Sequence, residues 1–152
     1  MGEMQTVVFS LNNELCGANT SQVEEIIKYQ DVAKVPGSVE FVEGVANLRG
    51  KIVPVINLNK KFELGETTIT KKTKIIITRV NESNVGFIVN DVSEIVKFSD
   101  DDIEVVPDMI KKVGNAYLMG VGKKGDMLIS ILDLPRILTD SEVKKINDVI
   151  KR

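Results

Sequence analysis

The chain has 152 residues, of which 43% are apolar and 28% charged, and a domain of this size buries about 70% of its unfolded surface without metal or disulfide staples. Its formal charge of −2, with Lys residues scattered or paired with acids, argues against the basic surface that nucleic-acid binding depends on. A single cysteine, Cys16, and no histidine at all exclude an intrachain disulfide and remove the commonest metal ligand and the usual proton carrier near neutral pH, so no metal, no cofactor and no enzymatic activity are expected.

No apolar run approaches ~20 residues and no basic leader precedes a short one, which predicts a cytoplasmic protein that does not insert into membranes. In chain order, residues 6–11 read as a strand, Asn12-Asn13 as a turn and residues 15–18 as its return. Ser21 and Glu24 have capping-box spacing, which predicts a helical turn before an extended run over 25–29. Residues 31–40, with Pro36 and Gly37, form a loop.

Two β-branched runs over 42–48 and 52–58 then flank Arg49 and Gly50, predicting a hairpin with one large charged side chain at its turn. Pro54 lacks an amide donor, which predicts an edge or bulged position for the second of these strands. Residues 62–72 are polar and read as a crossing. Over 139–152 Thr139 and Glu142 again have capping-box spacing, and Val143, Ile146, Val149 and Ile150 share one face of a predicted C-terminal helix.

The sequence repeats itself. Displaced by 69, residues 5–29 fall on 74–98, with Val7 on Ile76, Gly17 on Gly86, Val23 on Val92, Glu25 on Glu94 and Ile26 on Ile95. Displaced by 76, residues 41–58 fall on 117–134, with Phe41 on Tyr117, Gly44 on Gly120 and Asn57 on Asp133. Pro36 falls near Pro107. Matched glycines and polar residues at near-constant displacement indicate an internal duplication, and short strands at close spacing predict two small β-barrels with an apolar seam between them. The copies differ at one place: Lys123-Lys124-Gly125-Asp126 stands opposite Asn47-Leu48-Arg49-Gly50. Folding alone does not require that asymmetry.

Residues Asp100, Asp101, Asp102 and Glu104 lack the spaced ligands of a calcium loop and read as a solvated loop. No phosphate-binding glycine loop follows a strand, and no Ser-Lys pair stands ready for nucleophilic catalysis. Cys16, beside Leu15, reads as a small buried hydrophobe.

Residues 44–58, Gly-Val-Ala-Asn-Leu-Arg-Gly-Lys-Ile-Val-Pro-Val-Ile-Asn-Leu, resemble the signature of the CheW family of chemotaxis coupling proteins. Val23-Glu24-Glu25-Ile26, the strand over 85–89, and Gly125-Asp126 before Leu128-Ile129 resemble that family in order and spacing, so the resemblance spans about 6–138. It implies a mainly β fold of two five-stranded SH3-like barrels, one CheW-like domain over 4–140. Its halves would be roughly 14–70 and 73–138, strand 6–11 would complete the second barrel, and a C-terminal helix would follow over 139–152. It implies a non-catalytic adaptor that bridges the cytoplasmic tip of chemoreceptors to the regulatory domain of the histidine kinase CheA, recruited to membrane-associated arrays. It leaves self-association into array rings open.

Val23 and Val92 occupy equivalent places in the two copies, and pseudo-twofold packing would bring them to the seam, so with Ile26 and Val7 they are the expected lining of a receptor groove. The resemblance adds Glu25 and Arg49 as a charged pair beside it, with Thr20, Asn47 and Leu48 as further expected receptor contacts. Contacts to the kinase are placed at Val35, Pro36, Phe41, Gly50 and Lys51. Ala18, Asn19 and Thr20 stand where the family usually has apolar, Asp, apolar, making one groove wall more polar. Two other readings remain open at this stage: a paralogue serving a different kinase pathway, and an unrelated small-barrel ligand or RNA module.

Overall fold

The protein is described by a computed structural model covering residues 2–105 and 117–150. Pro107 lies outside the described residues. The strands are β1 (Glu3–Leu11), β2 (Glu14–Asn19), β3 (Glu25–Lys28), β4 (Val42–Leu48), β5 (Lys51–Asn57), β6 (Lys74–Val80), β7 (Ser83–Val89), β8 (Asp91–Ser99), β9 (Ile103–Val105), β10 (Leu118–Lys124) and β11 (Met127–Leu132). Two α-helices accompany them, α1 (Leu58–Lys61) and α2 (Asp140–Ile150).

The strands form two sheets, ordered β8-β1-β2-β11-β10-β9 and β3-β6-β7-β5-β4. Under the repeat, β6, β7 and β8 correspond to β1, β2 and β3, and β10 and β11 to β4 and β5. The first five strands of one sheet therefore match the other sheet strand for strand. The sheet boundaries nevertheless depart from the expected halves, 14–70 and 73–138. Hairpin β1–β2 joins the later strands, and hairpin β6–β7 joins the earlier ones, each through a parallel pairing: β2 with β11 and β7 with β5. The two copies have exchanged their leading hairpins, a pairing that self-comparison of a sequence does not reveal.

The expected barrels are open, curled sheets. In the β3–β4 sheet the chain beyond β3 turns back so that Ala33 bridges Val45 on the outer edge of β4. Its counterpart in the other sheet is β9, which pairs β10 at Glu104 and Val121. Both edges need a glycine at the same place. A Cβ on Gly120 would stand 2.5 Å from the Glu104 carbonyl oxygen, and one on Gly44 would overlap the Ala33 carbonyl oxygen. No side chain fits there.

Pro54 corrects another expectation, because β5 lies inside its sheet between β7 and β4. Pro54 opposes Val45, whose own N–H and C=O both bond Ala33 at 2.8 Å, and the β7 ladder begins only at Val55. The missing amide therefore costs no ladder bond.

The apolar runs in β1, β5 and β7 are buried on both faces, as strands between two packed layers are. Val8, Val96, Phe98, Ile129 and Ile131 fill the inside of one sheet. Ile75, Ile77, Ile88, Val53 and Val55 fill the other. The largest cluster lies between them, where Phe9 and Leu11 of β1 meet Ile76, Phe87 and Val89. Helix α2 closes one side of this seam with Ile146. Its first turn has the expected capping box: Thr139 N–H donates to Glu142 Oε1 at 2.8 Å, and Glu142 N–H donates to Thr139 Oγ1 at 3.1 Å. Lys61 Nζ, 3.1 Å from Glu142 Oε2, ties the helix to α1.

Candidate functional site

Leu48 opposes Lys51, so Arg49 and Gly50 alone turn the β4–β5 hairpin. Both have positive φ, 50° and 86°, as two-residue hairpin loops require, and Asn-Gly is the usual solution because a larger side chain is strained there. Asn47 Oδ1 accepts from Gly50 N–H at 2.8 Å and braces the turn. The repeat puts Gly125, φ 59°, where Arg49 stands. Arginine is therefore the costlier of two residues this fold uses at that corner, which points to its side chain as the reason for its presence.

That side chain reaches across to β3. Arg49 Nη2 donates to Glu25 Oε1 at 2.6 Å and Nη1 to Oε2 at 2.9 Å, a two-pronged pair. Arg49 is 70% exposed and Glu25 31%, so water screens the pair and its value lies in fixed orientation more than in stability. The hydrogen bond from Arg49, aided by its charge, holds the Glu25 carboxyl below the usual glutamate range. Gln30 Nε2 donates to Asn47 O at 3.2 Å in the same span between β3 and β4. The pair thus fixes the mouth of the sheet where its ladder is open.

Strand alternation carries β3 to the second part of the site. Ile27 turns into the sheet's own core, so Ile26, opposite Ile76, turns toward the seam. Ile26 is 38% exposed. On β8, Val96 points into the other core, so Ile95, opposite Val7, turns toward the seam as well and is 65% exposed. Val23 and Val92, also repeat equivalents, both pack on the seam cluster and are half-buried. An apolar lining from both copies therefore meets solvent at the seam, with Val23 and Ile26 from one copy and Val92 and Ile95 from the other. Val7 itself is only 3% exposed and belongs to the floor, out of a partner's reach.

Ile95 is a residue the sequence reading passed over, although the displacement that set Val23 on Val92 also set Ile26 on Ile95. Gln22 is another. The expected helical turn near Ser21 is a 3₁₀ turn over Thr20–Gln22, capped by Asn19 Oδ1, which accepts from Ser21 N–H at 2.9 Å. The polar run at Asn19-Thr20 thus shapes the chain before Val23. Gln22 then bridges to the segment after β11: its Nε2 donates to Asp133 Oδ1 at 3.0 Å, and its Oε1 accepts from Leu134 N–H at 3.1 Å. The Thr78 hydroxyl donates to the Gln22 carbonyl. No periodic pattern marks a lone Gln whose partners are 111 and 112 residues away.

The residues expected to face the kinase separate into two patches. Val35 ends in a turn where Ser38 Oγ donates to Val35 O at 2.9 Å, Pro36 is exposed, and Phe41 is half-buried under Lys61 Nζ, 5.0 Å from the ring centroid. These precede β4. Gly50 and Lys51 follow it, one strand length or ~20 Å away, beside Arg49.

The chemistry here is that of binding. Among the described residues no three His, Cys, Asp or Glu side chains gather as a metal site. Burial, with a smaller effect from Glu14, pushes the Cys16 thiol up to about 12, which leaves it inert. Asp100–Asp102 form a 3₁₀ turn in which Asp102 accepts from Ser99. No helix among the described residues is long and apolar enough to cross a membrane.

A paired charge across the mouth of one sheet and an apolar seam that meets solvent, on two duplicated sheets, define a binding scaffold. Residues 5–142 match the family model of the CheW-like domain, and the chain belongs to that family. It is 33% identical over 148 residues to the chemotaxis protein CheW of Treponema pallidum, covering 95% of this chain and 87% of that one. With the chemotaxis protein CheW of Thermotoga maritima the identity is 32% over 144 residues, covering 94% and 93%. The crystal structure of the scaffolding protein TtCheW from Thermoanaerobacter tengcongensis superposes with a TM-score of 0.83 at 34% identity, covering 93% of this chain and 92% of that one. The family makes this protein a chemotaxis coupling adaptor rather than an enzyme.

Proposed function

We propose that the protein couples the cytoplasmic tip of a chemoreceptor to the regulatory domain of the histidine kinase CheA, on the cytoplasmic side of a membrane-associated receptor array. The observation that carries this reading is the apolar seam left open to solvent, with the Glu25–Arg49 pair held on a strained turn at the mouth of one of its sheets. A receptor tip is a helical hairpin, and a helix docks by laying apolar residues into a groove while flanking charges set its register. Val23, Ile26, Val92 and Ile95 supply the apolar contact. Glu25 and Arg49 set register, with Asn47, Leu48 and Thr20 around them and Val7 beneath.

The kinase domain is assigned to the face before β4, at Val35, Pro36 and Phe41. Gly50 and Lys51 border both partners. Ile95 on β8 lies away from the segment before β4, so the receptor contact is open to removal alone. Titration of a receptor cytoplasmic fragment and of the CheA regulatory domain against Ile95→Asp tests this. Loss of receptor binding by at least tenfold with kinase-domain binding unchanged is expected. Receptor binding equal to that of the parent protein overturns the seam assignment.

A further inference from the structure

The apolar lining of the seam is nearly the same from both sides, because Val23 and Ile26 are the repeat equivalents of Val92 and Ile95. A helix lying on such a lining meets equivalent groups after a half-turn about the pseudo-twofold axis, so apolar contact alone does not fix which way round it lies. Charge breaks the symmetry.

Each isoleucine is followed two residues on by a lysine, Lys28 after Ile26 and Lys97 after Ile95, and strand alternation puts each lysine on the face of its isoleucine. On the β3 side Lys28 lies directly opposite Lys74 of β6, in the register that sets Ile26 opposite Ile76 of the seam cluster. Lys74 Nζ donates to Lys72 O at 3.1 Å, which brings a third lysine, exposed like Lys28, to the same corner. None of the three forms an ion pair among the described residues. Like charges directly opposite in a sheet are destabilising, so the fold gains nothing from the arrangement. The acids nearest in sequence lie beyond the two ends of β3 or are already taken: Glu24 precedes it, Asp31 follows it, and Glu25 holds Arg49. The β8 side is neutral by contrast. Lys97 lies opposite Gln5, the equivalent of Lys74, and its Nζ is 3.6 Å from Oε2 of Glu3, which the same displacement sets on Lys72.

We propose that Lys28 and Lys74, with Lys72, orient the receptor helix in the seam. The helix carries carboxylates along the flank that meets β3, and charge attraction there selects one of the two ways round that the apolar lining allows. The reverse placement sets those carboxylates beside Glu3 and leaves the lysines of the β3 side without them. This inference rests on the seam being the receptor groove and adds the chemistry of the occupant: an apolar stripe with one acidic flank.

The test is calorimetric titration of the full chain with a receptor cytoplasmic fragment, with Ile95→Asp alongside. Lys28→Glu combined with Lys74→Glu, folded as judged by an unchanged urea midpoint, is expected to weaken the fragment by about tenfold or more and to leave binding of the CheA regulatory domain unchanged. A nitroxide attached to the receptor helix beside its carboxylates is expected to broaden the amide signals of residues 26–28 and to spare those of residues 95–97. Gln5→Lys with Glu3→Gln gives the β8 side the same lysines, and the label should then broaden both sets. Binding that Ile95→Asp removes but the charge-reversed variant keeps within about twofold of the parent overturns the orienting role and leaves the docking reading standing. Equal broadening of the two sets in the parent protein does the same. No binding by the parent, or binding indifferent to Ile95→Asp, overturns the docking reading and this inference with it.

Discussion

Replacing Gln22 with alanine isolates the tie that shapes one wall of the seam. The side chain makes two hydrogen bonds across the interface, at 3.0 Å to Asp133 and at 3.1 Å from Leu134 N–H, and Leu134 is fully buried. Each ordinary hydrogen bond contributes about 1 kcal/mol net, and a buried N–H left without an acceptor adds its own desolvation cost, so Gln22→Ala should lose about 2–3 kcal/mol. For a chain of this length that corresponds to a fall in Tm of about 5–10 °C. Urea titration followed by circular dichroism reads the loss as a lower midpoint at unchanged slope. Gln22→Glu keeps the acceptor for Leu134 and opposes a carboxylate to Asp133, so at neutral pH it should also be destabilised. Stability within about 0.5 kcal/mol of the parent for Gln22→Ala would show that water replaces both bonds, and that Gln22 does not hold the wall.

Gly44→Ala and Gly120→Ala each force a Cβ onto a carbonyl oxygen of the neighbouring strand; each should cost at least about 1 kcal/mol in urea titrations. Equal stability would mean that the edge segments 33 and 104 shift freely. The Glu25 carboxyl, followed by NMR, should titrate below the usual glutamate range and return to it in Arg49→Met, since the hydrogen bond from Arg49 is the main cause of its depression. Because the native carboxyl is the more acidic, the pair is intact above about pH 4 and is lost as pH falls through the depressed value. A Glu25 titration unmoved by Arg49→Met would show that the pair does not persist in solution.

Much of the fold was legible because its determinants are local. Alternation marked the strands, Thr139 and Glu142 marked the start of α2, and the repeat marked the seam by pairing Val23 with Val92. What escaped depends on partners far apart in sequence. The exchange of hairpins β1–β2 and β6–β7 leaves the repeat unchanged whichever sheet each joins. Pro54 pointed to an edge because its lost donor is local, whereas Val45's preference for Ala33, which makes an interior place harmless, is not.

The site divided in the same way. Arg49 and Glu25 were legible from the turn and from family resemblance, but the strain at Arg49 needed its φ and the contrast with Gly125 to be seen. Val7 looked like a groove residue because alternation cannot distinguish a groove floor from a groove surface; burial does. Gly50 and Lys51 were grouped with Phe41 as expected kinase contacts, while the length of β4 holds them apart.

The central claim is coupling, and kinase autophosphorylation in a reconstituted mixture of CheA, a receptor cytoplasmic fragment and this protein tests it most directly. Activity should rise only when all three are present. Arg49→Glu, folded as judged by an unchanged urea midpoint, should abolish most of that rise while still binding the CheA regulatory domain. Full activation by Arg49→Glu, or activation without this protein, would contradict the account.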